Sequence, residues 1–196
     1  MSARDSGISN VQPPGVGWPK WCAISSRSAE KRSSLVRRPI AAACSMERAI
    51  IRDSVDYYPI YAEREFKYNG IKQGNRNALL YTDPSVDGLK TGHTEEAGYC
   101  LVTSSKRNDM RLISVVLGTS SDVARTQESQ KLLNFGYQFF DSQRLYKKNE
   151  AIATPEIFKG TQNTLKLGFE RDIWLTLPKD RFAGMKATLT TIQPLI

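Results

Sequence analysis

An α+β fold is the reading this sequence supports, an antiparallel sheet carrying a packed helix, followed by an all-β module. Three observations carry it. "GYCLVTSS" and "MRLISVVLG" are apolar, strand-like runs on either side of the turn-forming "KRND". "SSDVARTQESQKLLNFGYQFF" sets Leu132, Phe135 and Phe139, with Leu133, Tyr137 and Phe140, at helical spacing. Beyond residue 150, short segments broken by Gly and Pro include "DIWLTLP", where Ile173, Leu175 and Leu177 alternate with Trp174 and Thr176. Two strands followed by a helix suit a layer in which the helix covers one face of the sheet.

The elements follow in order. The 196 residues suffice for one ordinary core and a small second module. The net charge of +8 is concentrated early: residues 1–44 hold Arg4, Lys20, Arg27, Lys31, Arg32, Arg37 and Arg38 against Asp5 and Glu30. That segment mixes Pro, Gly, Ser and Arg without a period of 3.6 or 2, and is expected to be an unrelated or disordered basic stretch, with Trp18 and Trp21 unpacked. Order is expected from Ser45, half of a capping box, with Met46, Ala49 and Ile50 on one helical face. "YNG" marks a turn between short strands, and Asn75, Arg76 and Asn77 form a polar loop after Gly74. Leu112–Leu117 reads as a central, buried strand. Ser120 or Ser121 caps the long helix, and Asp122 suits the positive end of its dipole. The expected divisions are 1–44, 45–148 for the sheet-and-helix domain, and 149–196 for the start of an incomplete β domain.

No apolar run approaches the roughly 18 residues of a spanning helix. The first 15 residues hold no apolar stretch of a secretory leader. Cys22, Cys44 and Cys100 have no metal-ligand spacing and read as free thiols.

The chemistry is concentrated in "VDGLKTGHTEEAGYCLV", residues 86–102. Acyl transfer through a serine needs an activated nucleophile, donors for the oxyanion, and positive charge for an anionic substrate. Lys90 offers a cation and Thr91 a hydroxyl donor. Gly92, without a Cβ, lets a substrate backbone lie close along a strand. K-T-G belongs with S-x-x-K and a serine–x–asparagine element in penicillin-binding proteins and class A β-lactamases. Alone, the tripeptide reads equally as a surface turn ending a strand.

With its flanks, the run from "YYPIYAEREFKYNG" through "VDGLKTGHT" and "AGYCLV" to "TQESQKLLNFGYQFF", and more loosely "LTLPKDRFAGMKA", closely resembles the low-molecular-mass penicillin-binding proteins, the serine-type D-alanyl-D-alanine carboxypeptidases. The resemblance implies a partial penicillin-binding, β-lactamase-like catalytic domain. It also implies hydrolysis of the terminal D-Ala from peptidoglycan stem peptides through an acyl-serine, with no metal or cofactor; β-lactams would acylate the same serine in an intact relative. Lys90 would supply the site's positive potential, Thr91 would hydrogen-bond the substrate carboxylate, and the His93 N–H would serve the oxyanion. Arg125, in "ARTQESQKLL", would attract the terminal carboxylate, a task that suits a guanidinium fork. By itself Arg125 reads as a solvated helix charge. The family's base is a lysine, so His93, the chain's only histidine, is not assigned as one. Lys90 and Thr91 are expected on an edge strand antiparallel to residues 98–105, with both side chains near Arg125.

The resemblance also exposes a gap. The one S-x-x-K string, Ser28 to Lys31, lies too close to Lys90 and lacks an apolar helix around it, so it is read as coincidence; no S-x-N string occurs. No catalytic nucleophile or base is therefore assigned. The expectation is a chain holding the C-terminal part of a catalytic domain and the first half of a β domain, without the family's C-terminal membrane anchor. The family acts on the periplasmic face of the inner membrane; a chain without a signal peptide, expressed as written, would stay in the cytoplasm. The alternative is a non-catalytic remnant that keeps only the carboxylate-binding half of the site. A nucleic-acid binder, suggested by the basic N-terminal quarter, is set aside because its arginines form no helical stripe.

Overall fold

The computed structural model describes residues 21–26, 34–158, 162–185 and 188, with side chains from Ile40 onward. The chain forms two compact units that divide between Phe139 and Phe140. The first holds a four-stranded sheet. Strand β4 (Val86–Thr94) is one edge, followed by β5 (Gly98–Arg107), β6 (Met110–Thr119) and, at the far edge, β1 (Trp21–Ser26). The β4, β5 and β6 strands are antiparallel, and β1 runs parallel to β6, with Ala23 opposite Ile113.

The expected hairpin is present, with a tighter turn than "KRND" suggests. Lys106 pairs with Arg111 and Arg107 with Met110, which leaves Asn108 and Asp109 as the turn. Asn108 takes φ +50°, a conformation asparagine tolerates better than most residues. The "YNG" signal is borne out in the same way: Asn69 and Gly70 have positive φ between β2 (Glu65–Tyr68) and β3 (Ile71–Gly74).

Helix α3 (Asp122–Phe139) covers one face of the sheet. Its N-cap is Ser121, whose Oγ accepts the Ala124 N–H at 3.0 Å. The buried stripe is Arg125, Ser129, Leu132, Leu133 and Gly136. Phe135 and Phe139, expected in that stripe, instead pair with each other at 4.6 Å between centroids. Gly136, without a side chain, takes a buried position on the same helix. Leu101, Leu112 and Val116 are buried on the face α3 covers, and the Tyr137 hydroxyl donates to the Ser105 carbonyl at 2.8 Å.

On the opposite face lies helix α1 (Ser34–Asp53), with Cys44 buried against Ile113 and Val115, and Ile40 and Ala43 packed beside them. This corrects the expectation for residues 1–44 in part. Helix formation starts at Ser34 rather than Ser45, and residues 21–26 form a strand. Pro39 argues against a helix there, but the Ala41–Ala43 run favours one, and its contact with β6 selects it. Residues 1–20 and 27–33, including Trp18 and Ser28, lie outside the described residues.

Among the described residues the second unit is built on β-strands, as expected, with one 3-10 turn at Lys179–Gly184; it opens at β7 (Phe140–Tyr146) rather than near residue 149, because α3 passes straight into that strand. Strand β7 pairs antiparallel with β10 (Ile173–Pro178), and Ser142 and Thr176 hydroxyls meet across the pair at 2.6 Å. The short strands β8 (Ala151–Ala153) and β9 (Leu167–Gly168) pair separately.

Candidate functional site

The K-T-G run lies on β4, an edge strand antiparallel to β5, in the register Lys90 to Val102, Thr91 to Leu101, Gly92 to Cys100 and His93 to Tyr99. An edge strand leaves alternate backbone N–H and C=O groups unpaired, available to an extended ligand. The pleat then sorts the side chains. Thr91 and His93 share the Leu101 face, which α3 covers, whereas Lys90 shares the opposite face with Val102.

Arg125 reaches this strand from the first turn of α3. It is buried, at 5% exposure, and is not the solvated helix charge its sequence position suggests. Nη1 donates to the Gly92 carbonyl at 3.4 Å and to the Cys100 carbonyl at 3.5 Å, and Nη2 donates to the Arg76 carbonyl at 3.3 Å. Its Cζ lies 5.6 Å from the centre of the Tyr99 ring, on which the His93 ring packs at 3.9 Å. Its Nε has no hydrogen-bond partner among the described residues. A buried cation is thus held by three carbonyl dipoles and an aromatic face, an arrangement that leaves positive potential at the edge.

The structure therefore brings Gly92, Tyr99 and Arg125 together, with His93 on the Tyr99 ring; the pleat places Thr91 on the same face and Lys90 on the other. Lys90 is exposed, and its Nζ donates to the Thr91 carbonyl. Of the pair expected beside Arg125, Thr91 lies on its face of the sheet and Lys90 on the opposite face, because successive residues of a strand alternate.

Several supporting residues escaped the sequence reading. Asn77, placed in a polar loop, is 1% exposed, and its Nδ2 donates to the Gly88 carbonyl at 3.1 Å and to Thr103 Oγ1 at 3.2 Å, pinning β4 two residues before Lys90. Its Oδ1 accepts the Leu79 N–H at 3.2 Å, at the start of the one-turn helix α2 (Leu79–Thr82). On the Lys90 face, Arg111 Nη1 binds Asp87 Oδ1 at 2.6 Å and Ser104 Oγ at 2.6 Å, and the Tyr58 hydroxyl donates to Asp87 at 2.8 Å. Burial, reinforced by the Asp87 carboxylate, pushes the Tyr58 phenol far above its ordinary range. Glu47 of α1 is fully buried, and neither carboxylate oxygen has a hydrogen-bond partner among the described residues. Desolvation, with the nearby Asp87 charge adding to it and Arg111 opposing it, raises its pKa well above the usual carboxylate range.

Comparison with known sequences gives two matches along the chain. A family model of D-alanyl-D-alanine carboxypeptidases matches residues 40–121, and one of the penicillin-binding protein 5 C-terminal domain matches residues 140–196. Over these two segments the chain is similar to D-alanyl-D-alanine carboxypeptidases. It is 43% identical to the D-alanyl-D-alanine carboxypeptidase DacA of Escherichia coli over 142 residues, 72% of this chain and 35% of that protein. It thus spans about a third of the length of the curated carboxypeptidases it matches. Among solved structures, penicillin-binding protein 5 of Haemophilus influenzae is similar with a TM-score of 0.67 and 41% identity, over 74% of this chain and 42% of that one. Penicillin-binding protein 6B of Escherichia coli gives 0.57 and 35%, over 73% and 40%. The break between the two matches, residues 122–139, coincides with α3.

Proposed function

We propose that the β4 edge is the substrate-carboxylate half of a D-alanyl-D-alanine carboxypeptidase site, and that the activity it serves is removal of the terminal D-Ala from peptidoglycan stem peptides. The observation that carries this reading is the buried Arg125 guanidinium bonded to the Gly92 carbonyl, on the sheet face that Thr91 and His93 share.

The chemistry follows from what each group supplies. An acyl-D-Ala-D-Ala peptide lies antiparallel along β4 and hydrogen-bonds to its unpaired backbone groups. Thr91 Oγ1 donates to the terminal carboxylate, and Arg125 holds that end of the edge positive. The His93 N–H polarises the scissile carbonyl. Lys90, one residue earlier on the same edge, adds positive charge to the strand that an anionic substrate meets. The attacking group in the reaction is a serine activated by a lysine, giving an acyl-serine that water then hydrolyses. None of the residues on β4 or α3 takes that role: Thr91 is the motif's only hydroxyl, and no base adjoins it. This chain alone therefore binds the peptide without turning it over, and β-lactams engage the same edge without becoming covalently attached.

Thr91→Val tests the assignment. Removing a hydrogen bond to a charged acceptor costs about 1.5–3 kcal/mol, so the affinity for an acyl-D-Ala-D-Ala peptide should fall by roughly 10- to 100-fold. Unchanged affinity in isothermal titration would exclude Thr91 from the site.

A further inference from the structure

The β2–β3 hairpin presents an aromatic face that nothing among the described residues covers. Every residue of both strands is exposed. The register Phe66 to Gln73 and Tyr68 to Ile71 sets these four side chains on one face, and Glu65, Lys67 and Lys72 on the other. Phe66, Tyr68 and Ile71 are 61%, 72% and 62% exposed. The two rings are parallel to within 7°, with centroids 6.4 Å apart. Three large apolar side chains held side by side in water mark a recognition surface more often than a folding requirement.

The hairpin is fixed to the β4 edge. Asn75, the residue after β3, donates through Nδ2 to the Glu63 carbonyl at 2.9 Å, and its N–H donates to the Tyr81 hydroxyl at 3.0 Å. The next carbonyl, Arg76, accepts from Arg125, which also holds Gly92. The aromatic face is therefore positioned relative to the K-T-G strand through one shared guanidinium.

We propose that the Phe66–Tyr68 face is a carbohydrate platform that binds the glycan strand carrying the substrate stem peptide; this rests on the reading of β4 as the stem-peptide site. The C–H face of a pyranose packs on an exposed aromatic ring, and Phe66 and Tyr68, both exposed and side by side on one face of the hairpin, offer apolar contact to a sugar chain lying across them. The Gln73 amide and the Tyr68 hydroxyl stand on the same face, placed to hydrogen-bond ring hydroxyls and N-acetyl groups. The aromatic face itself carries no charge, which suits a neutral N-acetylated glycan. The reverse face is basic: Lys72 is paired with Glu65 at 2.6 Å, which leaves Lys67 as net positive charge for the carboxylates of neighbouring stem peptides on the same strand.

The test is an NMR titration of the full chain with an N-acetylglucosamine tetrasaccharide that carries no peptide, followed by the same titration of Phe66→Ala/Tyr68→Ala. Both side chains are exposed, and an unchanged melting temperature checks that the variant folds. The expected result is saturable shifts of amides 66–73, an affinity at least tenfold lower in the double variant, and unaltered binding of an acyl-D-Ala-D-Ala peptide. No shifts, or shifts indifferent to the double substitution, would overturn the platform. So would Phe66- and Tyr68-dependent sedimentation with anionic vesicles, or self-association, in the absence of glycan shifts; these would assign the face to a membrane or to a second copy. Glycan binding without peptide binding would overturn the β4 reading alone and support the platform as a glycan site.

Discussion

A Cβ built on Gly92 would meet only Cys100 Cβ, at 3.8 Å, an ordinary van der Waals contact. Folding does not require glycine there; on the proposed reading of β4, an incoming peptide backbone does. Gly98 is the opposite case: with φ +64°, its Cβ would lie 2.8 Å from the Thr119 carbonyl, so the β4–β5 turn itself demands glycine. Gly92→Ala should therefore leave the unfolding midpoint unchanged or slightly raised, within about 1 kcal/mol, while peptide affinity falls at least tenfold. Loss of stability together with affinity would assign Gly92 to the fold instead. A purely structural side chain behaves differently: Leu133 is fully buried, so Leu133→Ala should cost about 2–5 kcal/mol in urea unfolding. At this scale the sequence is legible where chemistry is local. K-T-G is recognisable as a motif, whereas nothing near Asn77 or Glu47 reveals that either is buried, because the groups around them come from later in the chain, Gly88 and Thr103 in the case of Asn77.

Helix α3 is both a cover for the sheet and the carrier of Arg125, and its guanidinium ties together β4, β5 and the segment before α2. Arg125→Met keeps the aliphatic stem and removes that tie. About 1–2 kcal/mol of stability should be lost, since the hydrogen bonds are long and the carbonyls regain water only in part. Hydrogen exchange should quicken at residues 90–94 before it does at the β5–β6 hairpin. Uniform exchange in the variant would show that the tie carries no local order. Elements with a strong period or a turn signal were readable in advance, namely α3, the β5–β6 hairpin and the Asn69–Gly70 turn. Strand β1 and the first half of α1 were not. The strand has no clear alternation, and Pro39 interrupts the helix pattern; both are selected by β6, a partner distant in sequence.

Across the molecule, two carboxyl groups set opposite pH limits. Glu47, whose folded pKa is raised by burial, keeps its proton in the native state. Its contribution is full below the unfolded pKa of about 4.3 and is lost as pH rises towards the folded value. Asp83 behaves in reverse. Burial pushes its carboxyl up, but hydrogen bonds from Ser85, Gln130 and Arg107 outweigh that and hold it below the usual range. Its contribution is present above about 3.9 and lost as pH falls through the folded value. Glu47→Gln should flatten the alkaline limb of the stability profile, and Asp83→Asn the acid limb; an unaltered limb in either variant would contradict the corresponding assignment. The division of labour in the site makes a further whole-molecule prediction: incubation with penicillin should leave the intact mass of the chain unchanged. A stoichiometric penicilloyl adduct would reveal a nucleophile on this chain, with Ser28 the first residue to map. The α+β class and the all-β module were legible from hydrophobic period. The junction at Phe140 was not, because a helix that runs directly into a strand leaves no linker composition to read.

The most direct test of the central claim is to map, by amide chemical shifts, where an acyl-D-Ala-D-Ala peptide binds and whether its free carboxylate matters. Binding along β4 should give saturable shifts centred on residues 90–94 and Cys100, and at least a tenfold loss of affinity for the same peptide with an amidated C-terminus. Shifts confined to other elements, or equal affinity for the amide, would contradict it.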